Sequence, residues 1–568
     1  MSLFGTIQLA GNTLRAMQVG LHVVGNNISN ANTPGYIREE AIYTPASIQR
    51  QGNLVLGLGV QIDSVVQKVD QFLLERLRNS RSDRAEAEIQ DRAYKDLEAL
   101  LSELSTNDLS TSLTGFFNSI DEVLKKPDDA AIRNLVILNG KALAQNLNRM
   151  ASRADDLRAQ YNARIAGTAS EINSLAEEIR TLNNRIASIE GGGATGSQAG
   201  GLRTQRQNAL DELAQRIDIR VSEQASGGVA VIIGGEFLVF EGHRREVEAA
   251  TDQSTTDPGK VILQFDDTNA PLQISGGELQ GRYTARDEVI GAFADQLDEF
   301  AAALASEFNQ LHSQGQGLTG FQKLTSYSGV ADATAALDAA GLPFTPVNGA
   351  LEIIVRNKTT GIAQTKTILV DLNGLDGDAS LETLATELDA IDGISATVSD
   401  LGKLTLASDS SDIEFAFAND TSGFLAAIGL NTFFTGSTAG DLAVNAELNG
   451  VQNAGKFAAS LDGIGEDSRN GERLAALFDR PLDSQNGVSL GERYEQLVNE
   501  IAQGSTVAAS VAEGFRVFEV SLEGEHQAIS GVSLDEEAIR MISLQRAYQA
   551  SARLIQTLSE LMDVLVNL

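Results

Sequence analysis

The chain has 568 residues, of which 42% are apolar, 21% charged and 5% aromatic, so it is long enough for about three to four domains with ordinary cores. Its 77 acidic and 43 basic residues give a formal net charge of -34, which repels phosphate backbones and anionic headgroups and argues against nucleic acid as a partner. The absence of cysteine excludes disulfides, zinc-thiolate sites and thiol nucleophiles.

The sequence also lacks the usual marks of a signal peptide and of a membrane span. Its first twenty residues contain no basic segment, no continuous apolar run and no small-residue cleavage site, and it has no run of about eighteen apolar residues. We therefore expect a protein that spans no membrane. It would be cytosolic, or exported by a route that reads a different signal.

The chain opens with an apolar pattern of helical type. Its steps alternate between four and three residues, which is typical of the a and d positions of a coiled-coil seam. We therefore predict an N-terminal helix with subunit-interface residues along its apolar edge. These are Leu3, Ile7, Leu14, Met17, Leu21, Val24 and Ile28.

The stretch NNISNANTPGYIR, from Asn26 to Arg38, follows this pattern. Asn and Gly tolerate left-handed backbone angles and end helices, whereas proline prevents helical continuation and favours an extended residue before it. The stretch therefore predicts a rigid corner. Its motif residues are Asn30, Asn32, Thr33, Pro34, Gly35 and Tyr36. An extended segment with strands, broken at Gly57 and Gly59, is expected to complete residues 1–70.

Residues 71–200 follow a helical pattern, with a break predicted at Pro127. A second apolar seam occupies the later half, at Ile172, Leu175, Ile179, Leu182, Ile186 and Ile189. We predict a helical bundle here. The Gly-rich stretch from Glu190 to Gly201 is interpreted as a flexible turn, because neither a preceding strand nor a Gly-Lys-Ser or Gly-Lys-Thr sequence accompanies it.

Residues 201–317 predict a mixed β/α domain, with short strands followed by a return helix. One helical stripe holds Val289, Phe293, Leu297, Phe300, Leu304 and Phe308. His312 lies near the end of this helix. A histidine there interacts favourably with the helix dipole, so we expect a structural role for it and no bound metal.

The last third of the chain changes character twice. Residues 318–450 alternate short strands with one helix and predict an inserted β-rich module, and residues 451–490 form a connecting segment. Residues 491–568 predict C-terminal helices with a second heptad seam. Its interface residues are Met541, Leu544, Tyr548, Ile555, Leu558, Met562 and Leu565, and Leu554, Leu561 and Leu568 form a flanking row.

No pattern in the sequence points to catalysis. The four histidines show no close pairing, and neither a Walker sequence nor a Gly-x-Ser-x-Gly elbow of any weight is present. We therefore predict no catalytic residue, no metal site and no cofactor, and a structural, non-enzymatic protein.

Two motifs together carry a family resemblance. The corner sequence ISNANTPGYIR after a heptad helix, with SLQRAYQASARLIQTLSELMDVLVNL at the C-terminus, resembles the axial proteins of the bacterial flagellum: rod, hook and hook-associated proteins. The segment LTGFFNSIDEVLKKPDDAAIRN, from Leu113 to Asn134, is similar to hook-associated proteins of the hook-filament junction. Flagellins lack the corner, and rod and hook proteins lack this segment.

The resemblance implies a fold and a role. The fold is a multidomain α+β protein with a helical coiled-coil terminal region formed by both chain ends, a helical bundle and β-rich outer domains. The role is an adaptor that joins hook to filament through terminal helix packing between subunits. Its implied partners are the hook protein, a second junction protein, filament proteins and copies of itself in a ring.

The resemblance also implies an extracellular location, export by the flagellar type III secretion system without a cleaved signal peptide, and an export chaperone at the C-terminal helix. Two alternatives stay open. One is another flagellar axial protein, such as a hook or distal rod subunit. The other is a secreted acidic binding protein or carbohydrate-active enzyme whose activity resides in the inserted module.

Overall fold

The computed structural model describes residues 3–51, 54–102, 109–190, 198–253, 259–375, 377–465 and 467–566. The helices are α1 Leu3–Asn30, α2 Gln71–Ser102, α3 Leu109–Lys125, α4 Ala130–Glu190, α5 Gly200–Arg216, α6 Gly277–Thr284, α7 Ile290–Ser313, α8 Leu381–Asp389, α9 Phe424–Ile428, α10 Arg469–Ala475, α11 Leu490–Ser530 and α12 Leu534–Val566. The predicted Gly-rich turn falls mostly on residues 191–197, which lie outside the described residues, as does Leu568.

The strands are short and pair in antiparallel fashion. They are β1 Glu39–Pro45, β2 Ile48–Gln51, β3 Leu54–Gly57, β4 Val60–Gln67, β5 Arg220–Glu223, β6 Val229–Ile233, β7 Glu236–Phe240, β8 His243–Arg244, β9 Val247–Thr251, β10 Val261–Phe265, β11 Lys323–Thr325, β12 Gly349–Asn357, β13 Ala363–Val370, β14 Ile394–Val398, β15 Leu404–Ser408, β16 Ile413–Ala418, β17 Phe434–Thr435 and β18 Ala443–Val444. The predicted multidomain α+β class, with helices at both ends, is confirmed. Within the described residues, no helix combines the length and apolarity needed to cross a membrane.

The chain forms two compact units. Unit 1 consists of Met1–Ala93, Ala159–Glu288 and Thr506–Leu568, and unit 2 consists of Tyr94–Arg158 and Val289–Ser505. Both chain ends therefore belong to unit 1. The six-segment division of the sequence stays a prediction.

Unit 1 begins with α1 and two β-hairpins. β1 pairs with β4 from Glu39↔Gln67 to Pro45↔Val60, and β2 pairs with β3. The chain breaks between β3 and β4 at Gly59, as expected, and this residue has φ of +91°. A side chain there would also meet the backbone oxygen of Leu9, so this position favours glycine.

The remainder of unit 1 is a small α+β core. The sheet β5-β6-β7-β8 and the hairpin β9-β10 pack with α5, α6 and the second half of α4. The second apolar seam is buried at Ile172, Ile179, Leu182 and Ile186, whereas Ile189 is exposed.

Unit 2 contains the β-rich part of the chain. The sheets β13-β12-β16 and β11-β15-β14 enclose α8 and α9 around one apolar core. Helix α8 begins at a capping box, in which the side chains of Ser380 and Thr383 each accept a hydrogen bond from the other's backbone N–H at 3.2 and 2.9 Å.

An aromatic cluster in unit 2 explains the segment around Phe116 and Phe117. The Phe116 ring lies 5.2 Å from Phe117 and 5.2 Å from Phe308 on α7. Phe433 and Phe434 complete the cluster, with ring centroids 4.8 Å apart. The segment from Leu113 to Asn134, which resembles hook-associated proteins, therefore supplies aromatic residues to the core of unit 2.

His312 lies in this cluster and is fully buried. Its Nδ1 lies 2.8 Å from the carbonyl oxygen of Asn431, and its Nε2 accepts a hydrogen bond from the Ala458 N–H at 3.2 Å. Burial lowers the pKa of His312 to about 4. Its role is structural, but the predicted interaction of a charged histidine with the helix dipole is wrong, because the ring is neutral. The ring instead links Asn431 and Ala458 through its two hydrogen bonds.

Candidate subunit interface at the chain termini

Helices α1 and α12 pack against each other in unit 1. The residues of α1 that are buried are mainly small: Ala10, Ala16, Gly20, Val23, Val24 and Asn27. Gly20 allows the closest approach, because a Cβ at this position would lie 3.2 Å from Leu544 and would meet the Tyr43 hydroxyl. Small side chains on α1 therefore let the two helices come together.

The interface residues predicted on α1 are mostly half-buried. Val24 is buried, and the others, Leu3, Ile7, Leu14, Met17, Leu21 and Ile28, keep part of their surface in solvent. The seam predicted from the heptads is thus offset from the most buried line of the helix. The reason is that small residues outside the predicted interface set, such as Ala16 and Gly20, lie on the buried line.

The interface residues predicted on α12 form its covered face. Leu558 is buried, and Met541, Leu544, Tyr548, Ile555 and Met562 are half-buried. The side chain of Leu565 lies outside the described residues. The flanking residues Leu554 and Leu561 are exposed. Pairing of the two termini therefore leaves much of both seams uncovered.

The predicted corner is a tight turn after α1. The Tyr36 N–H donates to the Thr33 carbonyl at 3.1 Å, and Gly35 has φ of +70°. A proline followed by a residue with positive φ fits the central positions of a type II turn. Asn30 closes the helix end, because its Nδ2 donates to the Asn26 carbonyl at 3.0 Å. The outer motif residues Asn32, Thr33, Pro34 and Gly35 are exposed.

Asn27 holds the corner from inside. Its Nδ2 donates to the Glu39 carbonyl at 2.9 Å and to Glu537 Oε2 at 3.2 Å. Its Oδ1 accepts from the Tyr36 hydroxyl and from the Glu39 N–H, both at 3.0 Å. All the hydrogen-bonding capacity of this buried amide is satisfied.

A buried ion pair links the corner to the start of α12. Arg38 Nε donates to Glu537 Oε1 at 2.8 Å, and its second terminal nitrogen lies 2.6 Å from the same oxygen. Arg38 is 5% exposed and Glu537 is 0% exposed, so each charge depends on the other. The Arg38 backbone N–H also donates to the Ser530 carbonyl at 2.9 Å. The two chain ends are therefore fixed in one register.

The phenol of Tyr36 stays protonated in this setting. Burial raises the pKa of Tyr36 far above its usual range, and the neighbouring carboxylates of Glu39 and Glu537 raise it further. The hydroxyl is therefore a reliable hydrogen-bond donor to Asn27.

Arginines on α2 fix the last part of α11. Arg81 lies 2.5 Å from Asp211 on α5 and 2.9 Å from Glu523 on α11, and Arg84 pairs with Glu519. Leu522 packs beside Leu73 and Leu77. One face of α11 is therefore held by the unit.

The other faces of α11 and α12 expose apolar side chains. On α11 these are Val507, Val511, Val517, Phe518, Val520 and Ile529, and on α12 they are Leu534, Ile539, Ile542, Leu554, Leu561 and Val564. Val520 is 67% exposed and Ile539 is 69% exposed. Exposed apolar side chains along two helices are candidates for interaction surfaces.

Sequence reasoning missed three residues of this region: Asn27, Arg38 and Glu537. Asn27 and Arg38 lie at the edges of the corner stretch, but Glu537 lies among the acidic residues that open α12. A glutamate in a first helical turn is ordinarily explained by the helix dipole. The sequence contains no local signal that would have joined it to Arg38.

Three family models match the chain. Residues 94–324 match the helical domain of flagellar hook-associated protein FlgK. Residues 7–36 match the flagella basal body rod protein model, and residues 525–568 match the C-terminal model of flagellar basal body rod FlgEFG proteins. The two rod models thus match parts of both terminal regions.

Curated relatives align with nearly the whole chain. Flagellar hook-associated protein 1 of Escherichia coli is 26% identical over 575 residues, which cover 98% of both chains. The protein of the same name from Bacillus subtilis is 25% identical over 579 residues, covering 100% of this chain and 98% of its own. The chain belongs to the flagellar hook-associated protein 1 family. It is a structural component of the bacterial flagellum.

A solved structure shares the family fold. The flagellar hook junction protein FlgK from Burkholderia pseudomallei aligns with a TM-score of 0.50 at 16% identity, covering 80% of this chain and 100% of that chain. Within the part of the chain that the structure describes, no group of three or more His, Asp or Glu residues could hold a metal ion.

Proposed function

We propose that this member of the hook-associated protein 1 family is the adaptor between flagellar hook and filament. Its terminal helices pack against those of neighbouring subunits. The partners are the hook protein on one side, a second junction protein and filament proteins on the other, and copies of the chain in a ring. The names of the relatives support the location, and the open helix faces of unit 1 support the mode of assembly.

One observation carries this proposal: the apolar side chains that α11 and α12 leave exposed beside the half-buried seams. A fully buried Val, Leu or Ile side chain contributes about 1.5–3 kcal/mol relative to an exposed one. Covering several of them in a neighbouring subunit offsets the entropy lost on association. The predicted seam residues on α1 and α12 belong to the same proposed interface, since most of them still have accessible surface.

We assign the segments of the chain on the same basis. Residues 1–70 and 491–568 form the axial part, 71–200 the helical bundle, 201–317 the mixed domain, 318–450 an outward module and 451–490 the connection. The acidic surface of the whole chain suits outer parts that remain solvated and do not associate with each other.

Export and location follow from the same assignment. The protein leaves through the flagellar type III secretion system without a cleaved signal peptide and functions outside the cell. A chaperone covers the apolar face of α12 before export. The role is non-enzymatic and needs no cofactor, which rests on the structural nature of the relatives.

The test is assembly on purified hooks, viewed by electron microscopy. A chain truncated before Leu534 loses α12, and we expect its unit 2 to fold while incorporation at the hook tip is abolished. A truncated chain that still joins hooks to filaments would refute the interface.

A sharper variant leaves the α1–α12 pairing in place. Ile539→Asp with Ile542→Asp alters only exposed positions of α12, and we expect folded protein that fails to incorporate. The matched control is Leu369→Asp with Leu401→Asp, two residues of unit 2 that are 67% and 77% exposed. Equal loss in both pairs would show that added charge, and not this surface, causes the defect.

A further inference from the structure

Unit 1 contains a cavity of about 260 Å³ beside Ile37. A water molecule occupies about 30 Å³ in the liquid, so the cavity has room for a small ligand. It is lined by Ile37, Gln67, Val69, Gln71, Leu74, Arg78, Gln198, Arg203, Arg206, Gln207, Leu210, Val221, Glu223 and Val229. Three arginines and one carboxylate stand out in this list.

Arg203 does not need a further partner. Its guanidinium donates to Glu190 Oε1 and Oε2 at 2.9 and 2.7 Å and to Glu223 Oε1 at 2.7 Å. This also occupies Glu223, the one acidic residue of the lining. The charges available to a ligand are therefore on the other two arginines.

Arg78 is 7% exposed and poorly partnered. Its Nε donates to the Leu74 carbonyl at 3.3 Å. Among the described residues, none forms a hydrogen bond with its two terminal nitrogens or lies within ion-pair distance of them. The nearby charge of Asp211 is already engaged by Arg81 at 2.5 Å. The terminal nitrogens of Arg78 thus offer donors to the cavity.

Arg206 is 5% exposed and presents a similar case. One terminal nitrogen donates to Asn183 Oδ1 at 3.0 Å and to the Gly227 carbonyl at 2.8 Å, both neutral acceptors. Within the described part of the chain it has no carboxylate at ion-pair distance. Burial and the charge of Arg203 lower the pKa of Arg206 to about 10, so it remains cationic at neutral pH.

Two buried guanidinium groups without paired carboxylates therefore face one cavity, in a chain whose net charge is -34. A buried charge that lacks a counter-ion is costly. Guanidinium groups match oxyanions with several acceptor oxygens, to which they donate in pairs. We propose that this cavity binds a small tetrahedral oxyanion of the phosphate or sulfate class.

Such an anion would link α2 to α5, because Arg78 and Arg206 come from these two helices. It would stabilise unit 1 next to Ile37, the neighbour of Arg38 in the chain. The site is distinct from the proposed interface and does not depend on assembly.

The test is isothermal titration calorimetry of the full chain with inorganic phosphate, with sodium chloride at equal ionic strength as reference. We expect saturable binding of phosphate and of sulfate, weaker binding of acetate, and a phosphate-dependent rise in melting temperature. Acetate binding as tight as phosphate would overturn the tetrahedral assignment. No saturable phosphate binding would overturn the site.

Two variants locate the ligand. Arg78→Gln removes charge and donors, and Arg78→Lys keeps the charge without the planar fork. We expect at least about tenfold weaker phosphate binding in each, with the larger loss for Arg78→Gln. The control is Arg516→Gln, an exposed arginine of the same unit that pairs with Glu513. Unchanged phosphate affinity in a folded Arg78→Lys protein would refute the role of Arg78.

Discussion

At the scale of single residues, Glu537 determines where the two chain ends meet. It accepts from Arg38 on the corner and from Asn27 on α1, and both partners lie about five hundred positions earlier in the sequence. A buried pair of this kind contributes little net stability compared with apolar packing, but losing one partner is costly. Its value here lies in fixing one register between α1 and α12.

We predict that Glu537→Gln destabilises the corner by about 3 kcal/mol, since it removes the buried partner of Arg38 and leaves only the exposed carboxylate of Glu536 as a counter-charge. Hydrogen exchange of the backbone amides around Arg38 measures this loss. The control is Glu536→Gln, the neighbouring residue, which is 62% exposed and lies 3.4 Å from Arg38. We expect less than about 1 kcal/mol there. Similar losses at both positions would contradict the prediction.

His312 makes the stability of unit 2 depend on pH. Its pKa in the folded chain is about 4, below the ordinary 6.5, so the unfolded chain binds a proton at higher pH. The stability gained from the neutral ring is complete above pH 6.5 and is lost as pH falls toward 4. Between these two pH values the contribution of His312 to the free energy of unfolding changes by about 3 kcal/mol.

Acid titration of stability checks this. Hydrogen exchange of the α7 amides between pH 7 and pH 4 should show the free energy of opening falling through this window. The His312→Asn protein should be less stable at pH 7. The part of the pH dependence of its opening free energy that comes from the histidine should disappear. An unchanged slope would assign the acid sensitivity to other groups.

At the scale of elements, the packing of α1 against α12 depends on Gly20. A glycine inside a helix ordinarily costs about 0.5–1 kcal/mol relative to alanine. At Gly20 a methyl group would contact Leu544 and Tyr43. We expect Gly20→Ala to destabilise the helix pair by about 1–3 kcal/mol, because overpacking forces the helices apart.

Gly25 on the same helix is the matched control for Gly20. A Cβ at Gly25 would meet no atom within 4 Å, so Gly25→Ala should be neutral or stabilising. Hydrogen exchange along α1 separates the two effects. A stabilising Gly20→Ala would show that α1 and α12 do not lie this close.

The same elements show what sequence patterns can predict. The heptads at both ends correctly placed two long helices, and the corner stretch predicted the end of α1, because proline and glycine act on the backbone locally. The alternating segments predicted most strands of unit 2. These features depend on neighbours in sequence, so a single sequence contains them.

The sequence could not predict contacts between distant residues. The covered line of α1 passes through Ala16 and Gly20, which any apolar count ranks below Leu14 and Met17. The bond of Glu537 to Arg38 and the guanidinium groups around the cavity likewise require the fold. No feature of the sequence predicted that the 61 residues of α4 are shared between two units.

At the scale of the whole molecule, an acidic chain with open apolar helices has two opposed tendencies. The net charge of -34 disfavours random association through self-repulsion, whereas the faces of α11 and α12 favour contact with a shaped partner. Such a protein is suited to remain monomeric until it binds a complementary protein surface.

Unit 1 is built from three separated stretches, and the last of them begins at Thr506. A polypeptide delivered from its N-terminus onward therefore cannot finish this unit until Glu537 arrives, whereas unit 2 has all of its residues by Ser505. Contacts between remote positions form slowly because a long loop must close first. The segment that is delivered first must wait for the segment that is delivered last, so unit 2 can mature before unit 1 is complete.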